Sequence, residues 1–379
     1  MERIYTPYIQ RYSSRKITLI SGPRQVGKAS LSKMLGPNFQ YLNFDDSDDR
    51  QILREKSWDR SLQHIIFDEV HKMKDWKRWL KGVFDKEGIP PQLTVTGSAK
   101  LDMYKKFGDS LAGRFFHYRI HPLDLKELSL INPKLDLDEA LDKLLTVSGF
   151  PEPFLEGEKS FYQKWKKTHL DIILRQDLID QEDVKDIKSI EILIDLLQER
   201  VGSPISYSSL ARDLKVSDKT VKRWLSILEN LYVVFKITPF HKNVARSNTK
   251  RPKYYFYDVA RVKGDQGVKL ENLVATTLFK EAQFQQDCEG KSVELYYLAK
   301  KGGVEIDFAL TFEDKVQTMI EVKASSSELS KNFKVFKKYM PDAHCVQLVQ
   351  NISREKTFED GTEIRKISRY FGCQQTYPS

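Results

Sequence analysis

The chain has 379 residues, with 62 lysines and arginines against 53 acidic residues, a formal net charge of +9. This excess is a modest bias toward polyanions such as DNA, and it fits an inert basic surface equally well. The cysteines Cys288, Cys345 and Cys373 form no close pair with one another or with a histidine, which excludes a zinc knuckle and a disulfide framework. No apolar run is long enough to span a membrane, and residues 1–16 lack a signal-peptide core, so we expect a cytoplasmic protein.

The first motif is the segment SGPRQVGKAS at residues 21–30, which lies between an apolar strand signal at 17–20 and helically spaced apolar residues. Strand, glycine-bearing turn and helix start are the context of a phosphate-binding loop. Gly22 and Gly27 let the backbone wrap a polyphosphate, and Lys28 would reach the outer phosphates. We therefore expect ATP to be bound by Gly22, Pro23, Arg24, Gln25, Val26, Gly27, Lys28, Ala29 and Ser30.

The residue after the loop lysine departs from the pattern. A serine or threonine is expected there as a ligand of Mg²⁺, and the sequence has Ala29. Ser30 is a poor substitute, because the next helical residue points about 100° away. The loop therefore predicts nucleotide binding more strongly than hydrolysis.

Two further strands end in polar residues that suit the same site. The apolar run at 64–67 leads into Asp68, which would hold Mg²⁺ through water, and Glu69, which would polarise the attacking water. The strand at 93–97 is followed by Ser98, which we prefer to Thr96 as a sensor of the γ-phosphate. A capping serine at a strand-to-helix turn is the alternative for Ser98.

Arg114 follows a further predicted helix and is a candidate arginine finger. It would stabilise transition-state charge at the nucleotide of a neighbouring subunit. The alternative is an ordinary surface arginine, because nothing in the local sequence fixes the direction of its side chain.

Five motifs together resemble a prokaryotic family of AAA-type ATPases whose C-terminal domain is similar to PD-(D/E)xK nucleases. They are GPRQVGK at 22–28, FDEVHK at 67–72, TGSA at 96–99, LAGR at 111–114 and GFPEP at 149–153. The resemblance runs across nearly the whole chain and implies ATP binding, ATPase activity and assembly into a homo-oligomeric ring. Ala29 departs from the family's usual threonine or serine.

The sequence predicts two helical parts in the middle of the chain. Residues 131–200 carry helical apolar stripes and resemble the helical lid that follows an AAA-type core. Residues 201–245 show two short helices, a turn and a strand, the pattern of a winged helix. The exposed start of its second helix carries three candidate DNA contacts, Lys219, Lys222 and Arg223, although such folds also serve as structural joints.

The C-terminal part follows a basic, turn-rich linker at 242–253. Glu271 near a helix start, Asp307 on one strand, and Glu321 and Lys323 on the next form the pattern of a metal-dependent nuclease. Glu321 and Lys323 share a strand face. Glu271, Asp307 and Glu321 would hold Mg²⁺ or Mn²⁺, and Lys323 would orient the attacking water. The alternative is a set of ordinary surface acid–lysine pairs.

These patterns predict an α/β protein with four parts. They are an AAA-type P-loop ATPase core (1–130), a helical lid (131–200), a winged helix (201–245) and a PD-(D/E)xK nuclease-like domain (246–379). The expected function is that of an ATP-binding, DNA-acting ATPase with a metal-dependent nuclease domain. The alternative is a nucleotide-switched module that binds DNA or protein, hydrolyses little ATP because of Ala29, and carries an inactive nuclease-like docking domain.

Overall fold

The structure is a computed structural model that describes residues 2–89, 91–98, 111–177, 186–241, 251–300, 302–326 and 328–372. The chain divides into two compact units. Unit 1 contains Met1–His121 and Asp287–Gly290, and unit 2 contains Pro122–Gln286 and Lys291–Ser379. The predicted helix before Arg114, together with Ala99 and Cys373, lies outside the described residues.

Unit 1 alternates helices and strands around one sheet. Its elements are α1 (Thr6–Ser13), β1 (Ile17–Ser21), α2 (Lys28–Met34), β2 (Phe39–Asn43), α3 (Ser47–Glu55), β3 (His64–Asp68), α4 (Trp76–Glu87), β4 (Gln92–Gly97) and β5 (Phe115–Arg119). Every residue of β1 and β3 is buried. Such continuous apolar runs are typical of strands covered on both faces of a parallel sheet.

The five strands of unit 1 are ordered β2-β3-β4-β1-β5, and all neighbouring pairs are parallel. The carboxyl ends of β1, β3 and β4 therefore lie at one edge of the sheet. That edge carries the phosphate loop, the pair Asp68 and Glu69, and Ser98. The predicted mixed α/β core with a parallel sheet is confirmed in this part of the chain.

Unit 2 is richer in helix and begins before the predicted boundary at residue 130. Its first helices are α5 (Leu125–Ile131), α6 (Leu137–Val147), α7 (Pro151–Glu156), α8 (Lys159–Ile172), α9 (Ile187–Gln198), α10 (Tyr207–Leu214) and α11 (Asp218–Asn230). The antiparallel pair β6 (Val234–Ile237) and β7 (Lys253–Phe256) follows. The order of α10, α11 and β6 agrees with the predicted winged helix, which stays a prediction, whereas β7 lies in the part predicted as the nuclease-like domain.

A six-stranded sheet forms the C-terminal half of unit 2, in the order β12-β13-β11-β10-β9-β8. The remaining elements are α12 (Gln266–Glu289), β8 (Val293–Ala299), β9 (Glu305–Phe312), β10 (Lys315–Lys323), α13 (Asn332–Lys337), β11 (His344–Val349), β12 (Lys356–Thr357), β13 (Glu363–Lys366) and α14 (Ile367–Gly372). One hydrophobic cluster runs from Leu123 to Phe371. The three parts predicted after residue 130 thus share a continuous core.

Among the helices of the described ranges, none combines the length and the apolar character needed to cross a bilayer.

Candidate functional site

The phosphate loop needs glycine at two positions for different reasons. At Gly22, with φ of 154°, an added Cβ would lie 2.2 Å from the carbonyl oxygen of Ile120. Gly27 precedes α2 with φ of 94°, a left-handed conformation that residues with a Cβ rarely adopt. The close backbone approach and the sharp entry into α2 together fix the curve of the loop.

Lys28 begins α2, and its side chain is buried inside the loop. Its Nζ donates to the carbonyl oxygens of Gly22 at 3.0 Å and of Pro23 at 2.7 Å. Because both acceptors are neutral, these bonds position the ammonium without neutralising its charge. The arrangement suits a phosphate at the start of a helix, where backbone amides also favour an anion.

The position after Lys28 has no side-chain oxygen. Ala29 is half-buried and Ser30 is exposed. The buried hydroxyl of Ser32 donates instead to the carbonyl oxygen of Ala29 at 2.9 Å. The structure therefore shows a methyl group at the expected Mg²⁺-ligand position, in agreement with the sequence.

Asp68 is the more tightly held of the two acids at the end of β3. One carboxylate oxygen accepts from the hydroxyl of Thr96 and from the backbone N–H of Glu69 at 3.0 Å, and the other accepts from the hydroxyl of Tyr41. Burial and then the hydrogen bond to Asp68 raise the pKa of Tyr41 well above its usual value, so the phenol stays a donor. Sequence reasoning missed Tyr41 and set Thr96 aside.

Glu69 has the properties of a poised base. Its backbone adopts a left-handed conformation with φ of 55°, and the hydroxyl of Ser98 donates to its carboxylate at 3.2 Å. Burial raises the pKa of Glu69, while the ammonium of Lys28 acts in the opposite direction. A carboxyl group with a raised pKa is better matched to accepting a proton near neutral pH. Ser98 contacts this carboxylate, which was not anticipated.

Arg114 lies at the opposite edge of the sheet from the phosphate loop. Its carbonyl oxygen accepts from the backbone N–H of Ile17 at 2.9 Å, at the start of β1. A strand rises about 3.3 Å per residue, so the five-residue strand β1 separates Arg114 from the loop by more than 10 Å. The guanidinium pairs with Asp85 at 2.7 Å. In this unit Arg114 does not face its own phosphate loop.

Arg3 is a second residue that the sequence did not reveal. Its buried guanidinium donates to the carbonyl oxygens of Val26 at 2.8 Å and of His121 at 2.6 Å. It therefore ties the phosphate loop to the end of the sheet. No motif surrounds Arg3, so only the folded structure could show this contact.

In unit 2 the structure brings the four predicted nuclease-like residues into one neighbourhood. Asp307 of β9 accepts from the backbone N–H of Val322 at 2.8 Å. On β10, the carboxylate of Glu321 lies 3.4 Å from Nζ of Lys323. Glu271 lies on α12, close enough to Asp307 for the charge of that carboxylate to act on it. The predicted convergence of helix and strand residues is observed.

Glu321 is held by polar partners from the start of α13 and the segment before it. Ser330 donates to its carboxylate at 3.0 Å and Asn332 at 3.2 Å. Burial and then the neighbouring carboxylate of Glu321 raise the pKa of Asp307. Burial and then Asp307 likewise raise the pKa of Glu271. The acids are therefore crowded and poorly hydrated.

Lys253 is the unexpected member of this site. Predicted as the end of a basic linker, it instead begins β7 and is only 1% exposed. Its Nζ contacts the carboxylate of Glu305 and lies 3.6 Å from that of Glu271. Burial would lower the pKa of Lys253, but the carboxylates of Glu271, Glu305 and Asp307 outweigh it, and the pKa is raised. Lys253 and Tyr255 are two residues apart on β7 and therefore share a face of the strand. This spacing was the signal in the sequence that Lys253 lies beside Tyr255.

The predicted divalent ion would share the C-terminal acids with the ammonium of Lys253. Within the described ranges, the acids, histidines and cysteines form no group of three or more that could hold a metal ion. The ammonium of Lys253 lies against the carboxylates of Glu305 and Glu271, and the charge of Asp307 also acts on it. Among the described residues, Asp68 accepts two hydrogen bonds at one carboxylate oxygen and one at the other, which leaves a lone pair for a water. The metal-ligand role of Glu271, Asp307 and Glu321 stays a prediction.

The three predicted DNA contacts are exposed on the first turns of α11. Lys219, Lys222 and Arg223 all face solvent, while the apolar side chains of the helix point into the core. The ammonium of Lys222 lies 5.1 Å from the ring centroid of Tyr207. These side chains are placed where a polyanion could reach them.

Comparison with known proteins places a family match on each part of the chain. Residues 14–129 match the AAA domain. Residues 138–263 match a domain of unknown function (DUF8612), and residues 266–370 match another (DUF4143). The first match coincides with the parallel sheet and the phosphate loop. It supports an AAA-type ATPase family and a nucleotide-binding function for unit 1.

Relatives extend over most of the chain. An uncharacterized protein of Methanocaldococcus jannaschii is 23% identical over 86% of this chain and 79% of its own length. An uncharacterized protein of Haemophilus influenzae is 24% identical over 92% of both chains. A STAND signal-transduction ATPase with a tetratricopeptide repeat sensor from Pyrococcus horikoshii is 14% identical over 73% of this chain and 45% of its own, with a TM-score of 0.25, too low to indicate a shared overall fold.

Proposed function

We propose that the protein is a nucleotide-switched ATPase that binds ATP at residues 22–30 and hydrolyses it slowly. The observation that carries this proposal is the buried ammonium of Lys28, held by the carbonyl oxygens of Gly22 and Pro23 inside the phosphate loop. The match of residues 14–129 to the AAA domain supports it. Slow turnover follows from the methyl group of Ala29.

Each residue of the site has a task in this proposal. Loop amides and Lys28 bind the phosphates, and Glu69 accepts the proton of the attacking water while Ser98 orients its carboxylate. Magnesium, when bound, would neutralise phosphate charge. Asp68 would hold it through water, since Thr96 and Tyr41 leave its lone pairs partly available. Ala29 offers no oxygen to it.

A binding titration with a fluorescent ATP analogue tests the proposal. We expect Lys28→Met to weaken binding by about 100-fold, because a charge-assisted contact to phosphate is lost. Lys33→Met is the matched control on α2, where the ammonium lies 4.1 Å from the ring centroid of Tyr41, and it should bind like wild type. Glu69→Gln should retain binding and lose most turnover. A wild-type chain that binds no ATP would overturn the proposal.

We also propose that the chain assembles into a homo-oligomer in which Arg114 serves a neighbour's nucleotide. The support is its position at the edge of the sheet away from its own loop, with a partly exposed guanidinium paired to Asp85. Sedimentation with and without ATP tests assembly. Turnover of Arg114→Ala should fall only under conditions where the wild type is oligomeric.

DNA binding is a further proposal that the exposed face of α11 favours. Replacing Lys219, Lys222 and Arg223 by glutamine should weaken binding of duplex DNA in a fluorescence anisotropy titration. The slope of log affinity against log salt should fall by about 3, since each phosphate contact contributes about 0.9. Glutamine at the exposed α8 positions Lys159, Lys164 and Lys167 removes the same charge and should leave binding unchanged.

A metal-dependent nuclease is the weaker candidate for unit 2. Convergence of Glu271, Asp307, Glu321 and Lys323 favours it, whereas the ammonium of Lys253 opposes metal binding. Incubation of supercoiled and branched DNA with Mg²⁺ or Mn²⁺ tests it directly. Cleavage that Asp307→Asn abolishes would support the nuclease, and intact DNA would leave unit 2 as a docking domain.

A further inference from the structure

We propose that the ammonium of Lys253 is the built-in cation of the acidic cluster in unit 2, and that it stands in place of a divalent metal ion. The cluster is defined here as Lys253, Glu271, Glu305, Asp307 and Glu321. The proposal goes beyond ATP binding and does not depend on it, because all five residues belong to unit 2.

Lys253 joins three separate elements. It begins β7 and contacts Glu305 at the start of β9 and Glu271 on α12. With a side chain only 1% exposed, its ammonium has exchanged water for carboxylate oxygens. A buried charge needs such partners, because an unpaired ion in the interior is strongly unfavourable. The contacts therefore belong to the folded core of unit 2.

The space around Glu271 is enclosed on its other sides. The hydroxyl of Tyr255 donates to the carboxylate at 2.8 Å. The backbone at Gly202 covers it so closely that an added Cβ would lie 2.6 Å from Oε2. A divalent ion would need several oxygen ligands at about 2.0–2.6 Å. Glu271 cannot turn toward such an ion without leaving Lys253 and Tyr255.

Charge leads to the same conclusion. The positive charge of Lys253 acts on Glu271, Glu305 and Asp307, which are three of the four acids in the cluster. A divalent ion between these carboxylates would lie within a few ångströms of the ammonium. Like charges at that distance repel strongly in a poorly hydrated site. The cluster therefore has room for one cation, and Lys253 already supplies it.

Titration of the nucleotide-free full-length protein with Mn²⁺, followed by the electron paramagnetic resonance of the free ion, tests the inference. Wild type and Asp307→Asn should bind Mn²⁺ equally weakly. Lys253→Met should gain one site at least tenfold tighter, and Lys253→Met with Asp307→Asn should lose it. Lys280→Met is the matched control, since Lys280 is a second buried lysine of unit 2, 2.7 Å from Glu127 and 3.1 Å from Asp124.

A wild-type site for Mn²⁺ that Asp307→Asn removes would overturn the inference. So would a folded Lys253→Met protein, checked by circular dichroism, that gains no site. Should Lys253→Met fail to fold, Lys253→Arg keeps the positive charge and should bind no more Mn²⁺ than wild type. The comparison of wild type with Asp307→Asn then still decides the outcome.

Discussion

Two buried lysines, Lys28 in unit 1 and Lys253 in unit 2, lie near pairs of acids but face different atoms. Nζ of Lys28 donates to two neutral carbonyl oxygens of its own loop, and Glu69 is an electrostatic neighbour. Nζ of Lys253 lies directly against the carboxylates of Glu305 and Glu271. The hydrogen bonds of Lys28 thus go to carbonyl oxygens, whereas the contacts of Lys253 go to carboxylates.

This difference separates a binding site from a structural ion cluster. A lysine held by carbonyl oxygens keeps a charge that an incoming phosphate can use, and the helix start adds to it. A lysine held by carboxylates has no such capacity, and its removal leaves buried anions behind. Motifs that list acids and lysines do not distinguish the two cases, because the distinction lies in which atoms the ammonium faces.

The loss of Lys253 should destabilise the protein far more than the loss of Lys28. We expect Lys253→Met to lower the free energy of unfolding by about 3–5 kcal/mol, since removing one partner of a buried ion pair leaves uncompensated charge. Lys28→Met should lower it by less than about 1 kcal/mol, because Nζ of Lys28 donates to neutral carbonyl oxygens of its own loop. Urea denaturation of both variants measures the contrast. Equal losses would show that the two lysines have the same structural role.

The second effect concerns the backbone of the phosphate loop. Gly22→Ala places a methyl group 2.2 Å from the carbonyl oxygen of Ile120, so the loop must shift. We expect ATP affinity to fall by about 100-fold, roughly 2.7 kcal/mol. Gly82→Ala in α4 is the control, because its added Cβ meets nothing within 4 Å. Unchanged affinity in Gly22→Ala would mean that this curve of the loop is not needed for binding.

The sequence predicted the phosphate loop but not the contacts of Lys253, and the two outcomes have one physical reason. Residues 17–35 carry their own information, since an apolar strand, two glycines and a helix start are adjacent in the chain. Lys253 meets Glu271 and Glu305 because β7 lies against α12, where Tyr255 and Phe256 also form hydrogen bonds. A local sequence pattern does not record such a contact between distant segments. The hydrophobic core of unit 2 is continuous from Leu123 onward, so the sequence pattern did not show that this unit begins before residue 130.

Ala29, the residue after the loop lysine, tests the slow turnover proposed for the nucleotide site. Ala29→Thr restores a hydroxyl at the position where a Mg²⁺ ligand is expected, and we expect ATP turnover to rise by about tenfold, roughly 1.4 kcal/mol. Ala29→Val has the same shape without the oxygen and should leave turnover unchanged. A coupled phosphate-release assay measures both. If threonine and valine behave alike, packing rather than an added ligand explains the change.

His64, a buried histidine of unit 1, tests the effect of burial on a titratable side chain. Burial lowers the pKa of His64 to about 4, and its Nε2 lies 2.8 Å from the hydroxyl oxygen of Thr94. Between pH 6.5 and 4 the unfolded chain binds a proton at His64 that the folded chain does not, so stability falls as the pH is lowered. His64→Gln should reduce this slope by about 1 kcal/mol per pH unit. Equal slopes for wild type and His64→Gln would contradict the prediction. At His64, burial lowers the pKa. At Lys253, the surrounding carboxylates outweigh the effect of burial, and the pKa is raised.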